Sequence, residues 1–271
     1  MKICIIGDNW ISKLYIKELN KNNINYLISN FNENSNDLLS DILDNKISHV
    51  IYSNGFQFEN EISNKNLDEK LIYNIQSPVK IAIFCQRYKI HFTYIGNGNI
   101  YINESNSDLF NEEDEPNNKN NDYFIINGCT DRLIKTTDSL NLRFNNPISS
   151  DINDPNNFLK KLITEQFIYN ISSSISVMDE LIPLSINLMK NKVIGTFNFV
   201  NSGIISYNEI LTLYKNICDN NFSWKCCSEN ECETNYCYLD SSLLELNYKI
   251  TPIKDAIINI LKVIHSNHHL I

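Results

Sequence analysis

The sequence predicts an α/β protein with a doubly wound parallel sheet and a smaller C-terminal lobe. Short apolar runs at 2–7, 25–29 and 48–55 alternate with segments whose apolar residues have helical spacing. Because strand–helix–strand alternation requires crossover connections, we expect a parallel sheet with right-handed crossovers. After residue 145 the pattern changes to shorter elements, which marks the second lobe.

The connections between these strands have clear helical patterns. Residues 10–20 and 37–44 are predicted to be helices because their apolar side chains recur every three to four positions. Residues 68–87 form a longer amphipathic segment that contains Pro78, and the apolar, aromatic and β-branched residues at 91–96 predict a buried strand. The first half is therefore predicted to be a regular succession of strands and helices.

Further along the chain, polar residues separate the sheet from the second lobe. Residues 102–121 are acidic and polar, which predicts a surface loop, and Tyr123 begins a helix that leads to a strand at 140–144. Ser206 and Glu209 have the spacing of a capping box and predict a helix start. The C-terminal lobe is predicted to contain helices near 156–167, 179–190, 206–218 and 253–265, and a strand at 195–200.

Charge and length narrow the class of protein. The 271 residues include 32 acidic and 23 basic side chains, for a formal net charge of −9. Because this charge would repel a phosphate backbone and no basic stripe offsets it, we expect no nucleic-acid partner. No apolar run approaches the roughly 20 residues that span a bilayer, and the N-terminus lacks the pattern of a signal peptide. We expect a soluble, cytoplasmic protein without membrane contact.

The eight cysteines are expected to be mostly reduced in such a protein. Cys4 and Cys85 lie within a predicted strand and a predicted helix, where cysteine acts as a small apolar residue. Four others form a cluster near the C-terminus: Cys226, Cys227, Cys232 and Cys237. This cluster lacks the paired CxxC spacing of structural zinc sites and has no histidine beside it, so we expect a surface loop and no metal.

A doubly wound sheet binds its ligand beyond the carboxyl ends of its strands. Residues 7–12, 53–55, 95–101 and 145–150 follow predicted strands, so they are expected to converge, with a dinucleotide as the default ligand. Binding of its pyrophosphate usually needs a glycine-rich turn at a helix N-terminus, and the turn GDNWIS contains only Gly7. The candidate cofactor-binding residues at these positions are Gly7, Trp10, Ile11, Ser53, Asn54 and Gly55.

Several stretches of the chain resemble a known family. Arg143 and the segments NNPISSDINDPNNFLKKL (145–162), SISVMDELIPLSINLMKNKVIGTFNFVNSGIISYNEILTLYKN (174–216) and FSW (222–224) are similar to the plant-type UDP-4-keto-6-deoxyglucose 3,5-epimerase/4-reductase. That enzyme is a relative of dTDP-4-dehydrorhamnose reductase. The resemblance continues more weakly upstream through SHVIYSNG, NIQSPVKIA, YIGNGNIY, FNEEDEPN and Tyr123, so it covers most of the chain.

The resemblance implies an extended short-chain dehydrogenase/reductase with a Rossmann-like fold. Residues 1–145 would bind NAD(P) and residues 146–271 a nucleotide-sugar substrate, although the two parts can interleave along the chain. Asn74 and Tyr123 would also bind the cofactor. The absence of an acidic residue at Ser29, Asn30 or Asn32 favours NADPH, with NADH possible. A homodimer is a further possibility.

In the resembled family a tyrosine, a lysine four residues later and a threonine or serine carry the reduction. The tyrosine donates a proton to the sugar C4 carbonyl, and the lysine lowers the tyrosine pKa and holds the cofactor ribose. The match places the tyrosine at Tyr123, the lysine position at Asn127 and the threonine position at Asn97. Since an amide carries no charge, Asn127 cannot replace the electrostatic effect of lysine.

For 3,5-epimerisation the family uses a cysteine and a lysine as proton-transfer groups. Asn99 stands at the cysteine position and Lys161 at the lysine position. An asparagine side chain has no accessible pKa for proton transfer, so half of this pair is retained.

Two hypotheses of function follow. In the first, the protein is an enzyme that reduces, and also epimerises, UDP-4-keto-6-deoxyglucose with NADPH on the way to UDP-rhamnose. In the second, it is a degenerate family member that binds a nucleotide, a sugar nucleotide or a partner protein without turnover. Tyr123 and Lys161 are the candidate catalytic residues of the first hypothesis, with Asn97, Asn99 and Asn127 at altered positions.

Overall fold

The computed structural model describes residues 1–29, 35–56, 66–103, 109–227 and 236–268. These residues form two compact units that alternate along the chain. Unit 1 consists of Met1–Ile100, Glu115–Arg143 and Ile182–Phe197, and unit 2 consists of Tyr101–Asp114, Phe144–Leu181 and Asn198–Ile271, each within the described ranges. The expected boundary at 145 is close to the division between Arg143 of unit 1 and Phe144 of unit 2. Each unit, however, also includes segments from the other half of the chain.

The elements follow one another as β1 (Lys2–Ile6), α1 (Trp10–Lys21), β2 (Asn25–Ser29), α2 (Ser35–Asp44), β3 (His49–Tyr52), α3 (Leu67–Leu71), a π-helical turn (Ile72–Gln76), α4 (Ser77–Arg87), β4 (His91–Asn97), a 3₁₀ turn (Gly98–Ile100), α5 (Asp122–Lys135), β5 (Ser139–Phe144), α6 (Phe158–Thr164), β6 (Phe167–Tyr169), β7 (Ser172–Ser173), α7 (Met178–Lys190), β8 (Gly195–Asn198), β9 (Ile205–Ser206), α8 (Tyr207–Ile217), β10 (Lys225–Cys227), α9 (Ser242–Asn247) and α10 (Ile253–His268).

A six-stranded sheet with the order β2-β1-β3-β4-β5-β8 forms the centre of unit 1. β1 pairs in parallel with both β2 and β3, and β3 pairs in parallel with β4. The chain therefore changes direction across the sheet between β1 and β3, and such a switch point is where ligands bind in doubly wound folds. The predicted fold class is confirmed.

The central strands of this sheet are buried along their whole length. Every residue of β3, β4 and β5 is buried. One side of the sheet packs on α2 and α4 through a core that includes Cys4, Tyr52, Phe92 and Cys85. Cys4 and Cys85 lie in β1 and α4, as predicted, and contribute apolar surface there.

The amphipathic segment predicted at 68–87 is interrupted by the π-helical turn. Pro78 has no N–H to offer the carbonyl of Asn74, four residues before it. That carbonyl instead accepts a hydrogen bond from Thr130 Oγ1 in α5, at 2.5 Å. Ser77 Oγ closes the turn by donating to the carbonyl of Ile72 at 2.7 Å. The proline thus explains why one long helix is divided into α3 and α4.

Unit 2 has its own apolar core between α6, α8 and α10. Leu159, Leu162, Ile210, Leu211 and Leu261 are among its fully or almost fully buried members. Two small sheets, β6 with β10 and β7 with β9, lie outside the main sheet. The helix predicted at 156–167 is shorter than expected, because α6 ends at Thr164 and residues 167–169 form β6 instead.

The hydrogen bond from the N3 backbone N–H to the N-cap side chain, which is part of the capping box predicted at the start of α8, is present. Ser206 is the N-cap, and its Oγ accepts a hydrogen bond from the backbone N–H of Glu209 at 3.1 Å. This side chain satisfies one of the amide groups that a helix start leaves without a partner.

The acidic loop expected on the surface is partly buried in its described portion. The Glu112 side chain accepts a hydrogen bond from the backbone N–H of Asn198 at 2.9 Å, and Glu112 is 6% exposed. Phe110 forms a β-bridge with Leu239, and Asn118 is also buried. A carboxylate that accepts a hydrogen bond from a backbone amide can be buried without a large loss of stability. The polarity of the segment therefore did not indicate that Glu112 is buried.

The seven cysteines in the described ranges are all free thiols. Cys226 and Cys227 lie in β10 and Cys237 is buried, whereas Cys232 lies outside the described residues. Among the residues with described positions, no group of three or more His, Cys, Asp or Glu side chains could hold a metal ion. Within those same ranges, no helix combines the length and the apolar character that a membrane span requires.

Candidate active site at the end of the central strands

The turn between β1 and α1 is built around Gly7. Its φ of +124° lies in a region that L-amino acids with a side chain rarely adopt. A Cβ atom at this position would overlap the side-chain oxygens of Asn54 and Ser53, which follow β3. Ser53 is fully buried and its Oγ donates to the carbonyl of Ile6 at 3.1 Å. Gly7 therefore allows the two strand ends at the switch point to approach closely.

The start of α1 is capped by side chains of its own turn. Asn9 Oδ1 accepts from the backbone N–H of Ser12, and Ser12 Oγ accepts from the backbone N–H of Asn9, both at 2.9 Å. Asn9 Nδ2 also donates to the carbonyls of Ser53 (2.9 Å) and Phe56 (3.3 Å). The side chains of Asn9 and Ser12 thus accept hydrogen bonds from backbone N–H groups at the helix start. In a glycine-rich turn, such N–H groups bind a phosphate.

The other residues predicted around this turn have mainly packing contacts. Trp10 is 3% exposed and Ile11 is fully buried, so their side chains belong to the core. A Cβ on Gly55 would overlap the ring of Tyr94 and the carbonyl of Ile95, which explains the glycine there. Asn54 is half-buried, and its side chain lies next to Gly7.

Tyr123 lies in the first turn of α5, where the sequence places it. Asn121 caps this helix by accepting from the N–H of Phe124 at 3.1 Å. Tyr123 is 5% exposed, and its phenol oxygen accepts a hydrogen bond from Asn97 Nδ2 at 3.3 Å. Because Asn97 is the last residue of β4, the structure brings the predicted tyrosine and the predicted threonine position together.

The turn that follows Asn97 is held by amide groups. Asn97 Oδ1 accepts from the backbone N–H of Asn99 at 2.9 Å. Asn118 Nδ2 donates to the carbonyl of Asn99 at 2.7 Å, and the N–H of Asn118 donates to the carbonyl of Ile100 at 3.0 Å. The position of Asn97 is thus set by the backbone of its own turn and by a side chain 21 residues further along.

Asn127 does not reach the phenol group. Its Nδ2 donates to the backbone carbonyl of Tyr123 at 2.8 Å, one helical turn earlier. Its Oδ1 is buried and has no hydrogen-bond partner among the described residues. Asn74 is similar: its Nδ2 donates to the carbonyl of Lys70 at 3.0 Å, and its buried Oδ1 is without a partner in the described part of the chain. Two amide oxygens near α5 therefore remain able to accept hydrogen bonds.

A buried ion pair fixes α5 on the sheet. Arg143 of β5 donates from Nε to Asp131 Oδ1 (3.0 Å) and from Nη2 to Asp131 Oδ2 (2.6 Å). Asn141 Nδ2 also donates to Asp131 Oδ1 at 2.7 Å. Both charged side chains are at most 4% exposed. Since Asp131 lies two helical turns after Tyr123, this pair restricts rotation and sliding of the helix that carries the tyrosine.

Lys161, the candidate epimerisation base, belongs to unit 2. It is half-buried in the last turn of α6, one turn before Glu165. Burial raises the pKa of Glu165, and the nearby Lys161 charge opposes that effect. The segment expected at the carboxyl end of β5 also lies in unit 2, where Ser150 donates to the Asp179 carboxylate from its N–H (2.9 Å) and from its Oγ.

Two residues around this site were not identified from the sequence. Asn9 could have been found from its spacing, since Asn followed three residues later by Ser is a capping pattern at the start of an apolar helix. Asn118 lies in a tract of asparagines, and nothing in that tract indicates which member binds the turn after β4. Only the fold brings it to Asn99.

Comparison with known proteins identifies relatives over most of the chain. Protein L780 of Acanthamoeba polyphaga mimivirus is 38% identical over 165 residues, which cover 59% of this chain and 57% of L780. The Arabidopsis thaliana trifunctional UDP-glucose 4,6-dehydratase/UDP-4-keto-6-deoxy-D-glucose 3,5-epimerase/UDP-4-keto-L-rhamnose-reductase RHM1 is 31% identical over 234 residues. That match covers 83% of this chain and 35% of RHM1, so the chain corresponds to about a third of the plant protein.

Solved structures agree with these sequence matches. The crystal structure of the L780 UDP-rhamnose synthase superimposes with a TM-score of 0.86 at 27% identity, covering 97% of this chain and 99% of L780. A Bacillus anthracis dTDP-4-dehydrorhamnose reductase in complex with NADP gives a TM-score of 0.77 at 16% identity, covering 96% and 98% of the two chains. At that identity the second likeness concerns the fold.

No protein-family model matches the chain. The resemblance drawn from the segments after Arg143 and from Tyr123 is nevertheless confirmed by relatives that share both sequence and fold. The chain belongs to the dTDP-4-dehydrorhamnose reductase-like proteins of the extended short-chain dehydrogenase/reductase family, together with L780 and the plant RHM enzymes.

Proposed function

We propose that the protein is an NADPH-dependent 4-keto reductase and 3,5-epimerase that converts UDP-4-keto-6-deoxyglucose towards UDP-L-rhamnose. RHM1 is named for the same two kinds of reaction, and L780 is named a UDP-rhamnose synthase. The proposal extends those activities to this chain because its sequence is similar to both and its fold matches that of L780.

The contact between Asn97 and Tyr123 is the observation that carries the proposal. A buried phenol at the start of a helix is held by a side chain at the carboxyl end of a central strand. This edge of a doubly wound sheet is where such folds bind their ligands. A phenol there can donate a proton to a carbonyl oxygen that becomes an alkoxide during reduction.

The residues of unit 1 fit a nicotinamide dinucleotide. The positive φ of Gly7 turns the chain sharply between β1 and α1, which is the place where folds of this type offer backbone amides to a pyrophosphate. The buried Oδ1 atoms of Asn74 and Asn127 need hydrogen-bond donors, and ribose hydroxyl groups are suitable donors. The capped start of α1 differs from a glycine-rich turn, so Asn9 and Ser12 would have to share their amide groups with a pyrophosphate.

In the proposed reaction Tyr123 is the general acid. When bound, the nicotinamide supplies the hydride that reduces the C4 carbonyl. Tyr123 donates its phenolic proton to the carbonyl oxygen and regains a proton from solvent afterwards. Asn127 keeps the first turn of α5 in place through the Tyr123 carbonyl and offers its Oδ1 to the cofactor ribose. No cation takes the place of the family lysine in this scheme.

Epimerisation at C3 and C5 requires proton transfer at the carbons next to the ketone. We assign Lys161 as the base for this step, because the resemblance implies that the lysine used for epimerisation stands at this position and its side chain is ionisable. Asn99 holds the turn after β4 through its backbone and cannot exchange a proton at its side chain. Residues 146–271 are proposed to hold the nucleotide sugar, and residues 1–145 the cofactor.

The experiment that tests this function follows NADPH oxidation by the purified protein with UDP-4-keto-6-deoxyglucose and identifies the sugar products. We expect turnover by the wild type and loss of at least about 100-fold in kcat for Tyr123→Phe, which lacks the proton donor. Binding of NADPH, measured by thermal stabilisation, should be nearly unchanged in the variant.

Tyr88→Phe is the matched control, because Tyr88 is about half exposed at the end of α4 and also loses one hydroxyl. Its kcat should equal that of the wild type. If Tyr123→Phe retained wild-type activity, Tyr123 would not be the acid. Failure of the wild type to turn over at high enzyme concentration, with NADPH or the sugar nucleotide still bound, would favour a binding protein without turnover.

A further inference from the structure

The three asparagines that replace reactive family residues make different contacts. Asn127 donates a hydrogen bond to the backbone of its own helix, and Asn99 makes hydrogen bonds through its backbone N–H and carbonyl. Asn97 is the one whose side chain contacts the phenol oxygen of Tyr123. Four residues after Tyr123 stands Asn127 in place of a lysine, so Asn97 contacts a phenol that lacks this nearby positive charge.

The orientation of the Asn97 amide is determined by its neighbours. The N–H of Asn99 is a donor, so it must face the oxygen of the Asn97 side chain rather than its NH₂ group. The NH₂ group is then directed at Tyr123, and Asn97 can only donate to the phenol oxygen. A serine or threonine hydroxyl at the same place could rotate and either donate or accept.

We propose that Asn97 is the positioning residue that prepares Tyr123 for proton donation in this protein, in place of the charge that a lysine would supply. This inference rests on the proposed reductase function and deepens it. By donating to the phenol oxygen, the amide keeps the phenolic proton available for an acceptor. It also stabilises the phenolate that remains after the proton has left, because hydrogen bonds to a charged form favour that form.

The surroundings of Asn97 are suited to this role. Asn97 is 5% exposed, and a hydrogen bond in a site with little water is stronger than one at the surface. Its turn is held by Asn118, whose own side chain is buried. The amide is therefore in place before any substrate binds, so no energy is needed to orient it during the reaction.

The test replaces Asn97 with aspartate, which has the same shape but accepts hydrogen bonds and carries a negative charge. In Asn97→Asp the carboxylate disfavours the phenolate, so we expect the pKa of Tyr123 to rise by about one unit or more relative to the wild type. NMR of protein labelled at the tyrosine Cζ carbon measures this pKa, with the Tyr123→Phe spectrum assigning the signal. The readout needs no turnover.

The same variant should lose roughly 10- to 100-fold in kcat while KM for the sugar nucleotide changes little, and its pH–rate profile should move to higher pH. Asn97→Thr, which restores a hydroxyl donor, should recover at least part of this loss. Asn20→Asp in the exposed part of α1 adds the same charge away from Tyr123 and should change neither kcat nor the pKa of Tyr123.

Unchanged titration of Tyr123 in Asn97→Asp, with the variant folded by circular dichroism, would overturn the proposal. So would an equal effect of Asn20→Asp. If the wild type shows no turnover but Asn97→Asp still raises the pKa of Tyr123, the reductase function fails while the positioning of Tyr123 by Asn97 stands.

Discussion

The Asp131–Arg143 pair shows how single buried side chains support the site. Removing one member leaves the other charge buried without its partner, which costs far more than the net value of the pair. We expect Arg143→Met to lower the free energy of unfolding by roughly 3 to 5 kcal/mol, measured by urea denaturation. The double variant Asp131→Leu/Arg143→Met should recover much of this loss, because no unpaired charge remains.

Arg132 provides the control for this prediction in the same helix. It pairs with Glu115 at 2.8 Å, but both side chains are more than 60% exposed. We expect Arg132→Met to change the free energy of unfolding by less than about 1 kcal/mol, since water screens such pairs. Equal losses for Arg132→Met and Arg143→Met would contradict the view that burial determines the value of the inner pair.

In the β1–α1 turn, a side chain at Gly7 would reduce stability in two ways, through backbone strain and through steric overlap. Gly7 and Gly195 both have strongly positive φ values, +124° and +119°. A Cβ on Gly195 would have its nearest neighbour at 3.9 Å, whereas a Cβ on Gly7 would overlap atoms of Asn54 and Ser53. Gly195→Ala should therefore lose about 1 kcal/mol of stability from backbone strain, and Gly7→Ala roughly 2 kcal/mol more from overlap.

Thermal or urea denaturation of the two alanine variants checks this difference. A loss in Gly7→Ala no greater than that in Gly195→Ala would mean that Asn54 and Ser53 move aside without cost.

The order of elements could be predicted because each strand is an apolar run and each helix has its own spacing. What could not be predicted depends on contacts between distant segments. The π-helical turn needs Thr130 of α5 to satisfy the carbonyl that Pro78 releases, and the burial of Glu112 needs the backbone of Asn198. The two- and three-residue strands β6, β7, β9 and β10 are too short to show a period of two.

For the site, the sequence could place Tyr123, Asn97 and Asn127 but not the direction of their side chains. The resemblance implies that a reactive residue is replaced at both Asn97 and Asn127. The structure distinguishes them, because the Asn97 amide contacts the phenol and the Asn127 amide turns back to its own helix. Such a difference depends on side-chain geometry, which residue spacing does not determine.

Across unit 1 as a whole, two histidines connect the central strands to the end of α7, at the opposite end of β3 and β4 from Asn97. His49 begins β3 and contacts the carbonyl of Met189 at 3.0 Å, and His91 begins β4 and contacts the carbonyl of Val193 at 2.8 Å. Their rings lie 5.3 Å apart, and both are almost fully buried. The neutral pair thus fixes segments about 100 to 140 residues apart in the chain.

Burial lowers the pKa of His49 to about 4, with further lowering by the charges of His91, Lys192 and the N-terminus, against a raising effect of the Met189 carbonyl. Burial also lowers the pKa of His91, aided by Lys192 and opposed by the Val193 carbonyl. The ordinary histidine pKa is near 6.5, so between about pH 6.5 and 4 the unfolded chain binds more protons than the folded one. The stabilisation is complete above this window and is lost as the pH falls through it.

We therefore expect the free energy of unfolding of the wild type to fall between pH 7 and pH 4.5, with His49 contributing on the order of 2 kcal/mol of the decrease. Urea denaturation at the two pH values measures it. His49→Gln should be less stable at pH 7, because a fitted ring is lost, but should lose less of its remaining stability on acidification. His265→Gln, which removes an imidazole from α10, should keep the wild-type decrease. A decrease in His49→Gln as large as that of the wild type would show that carboxylates, and not this histidine pair, govern the acid sensitivity of the fold.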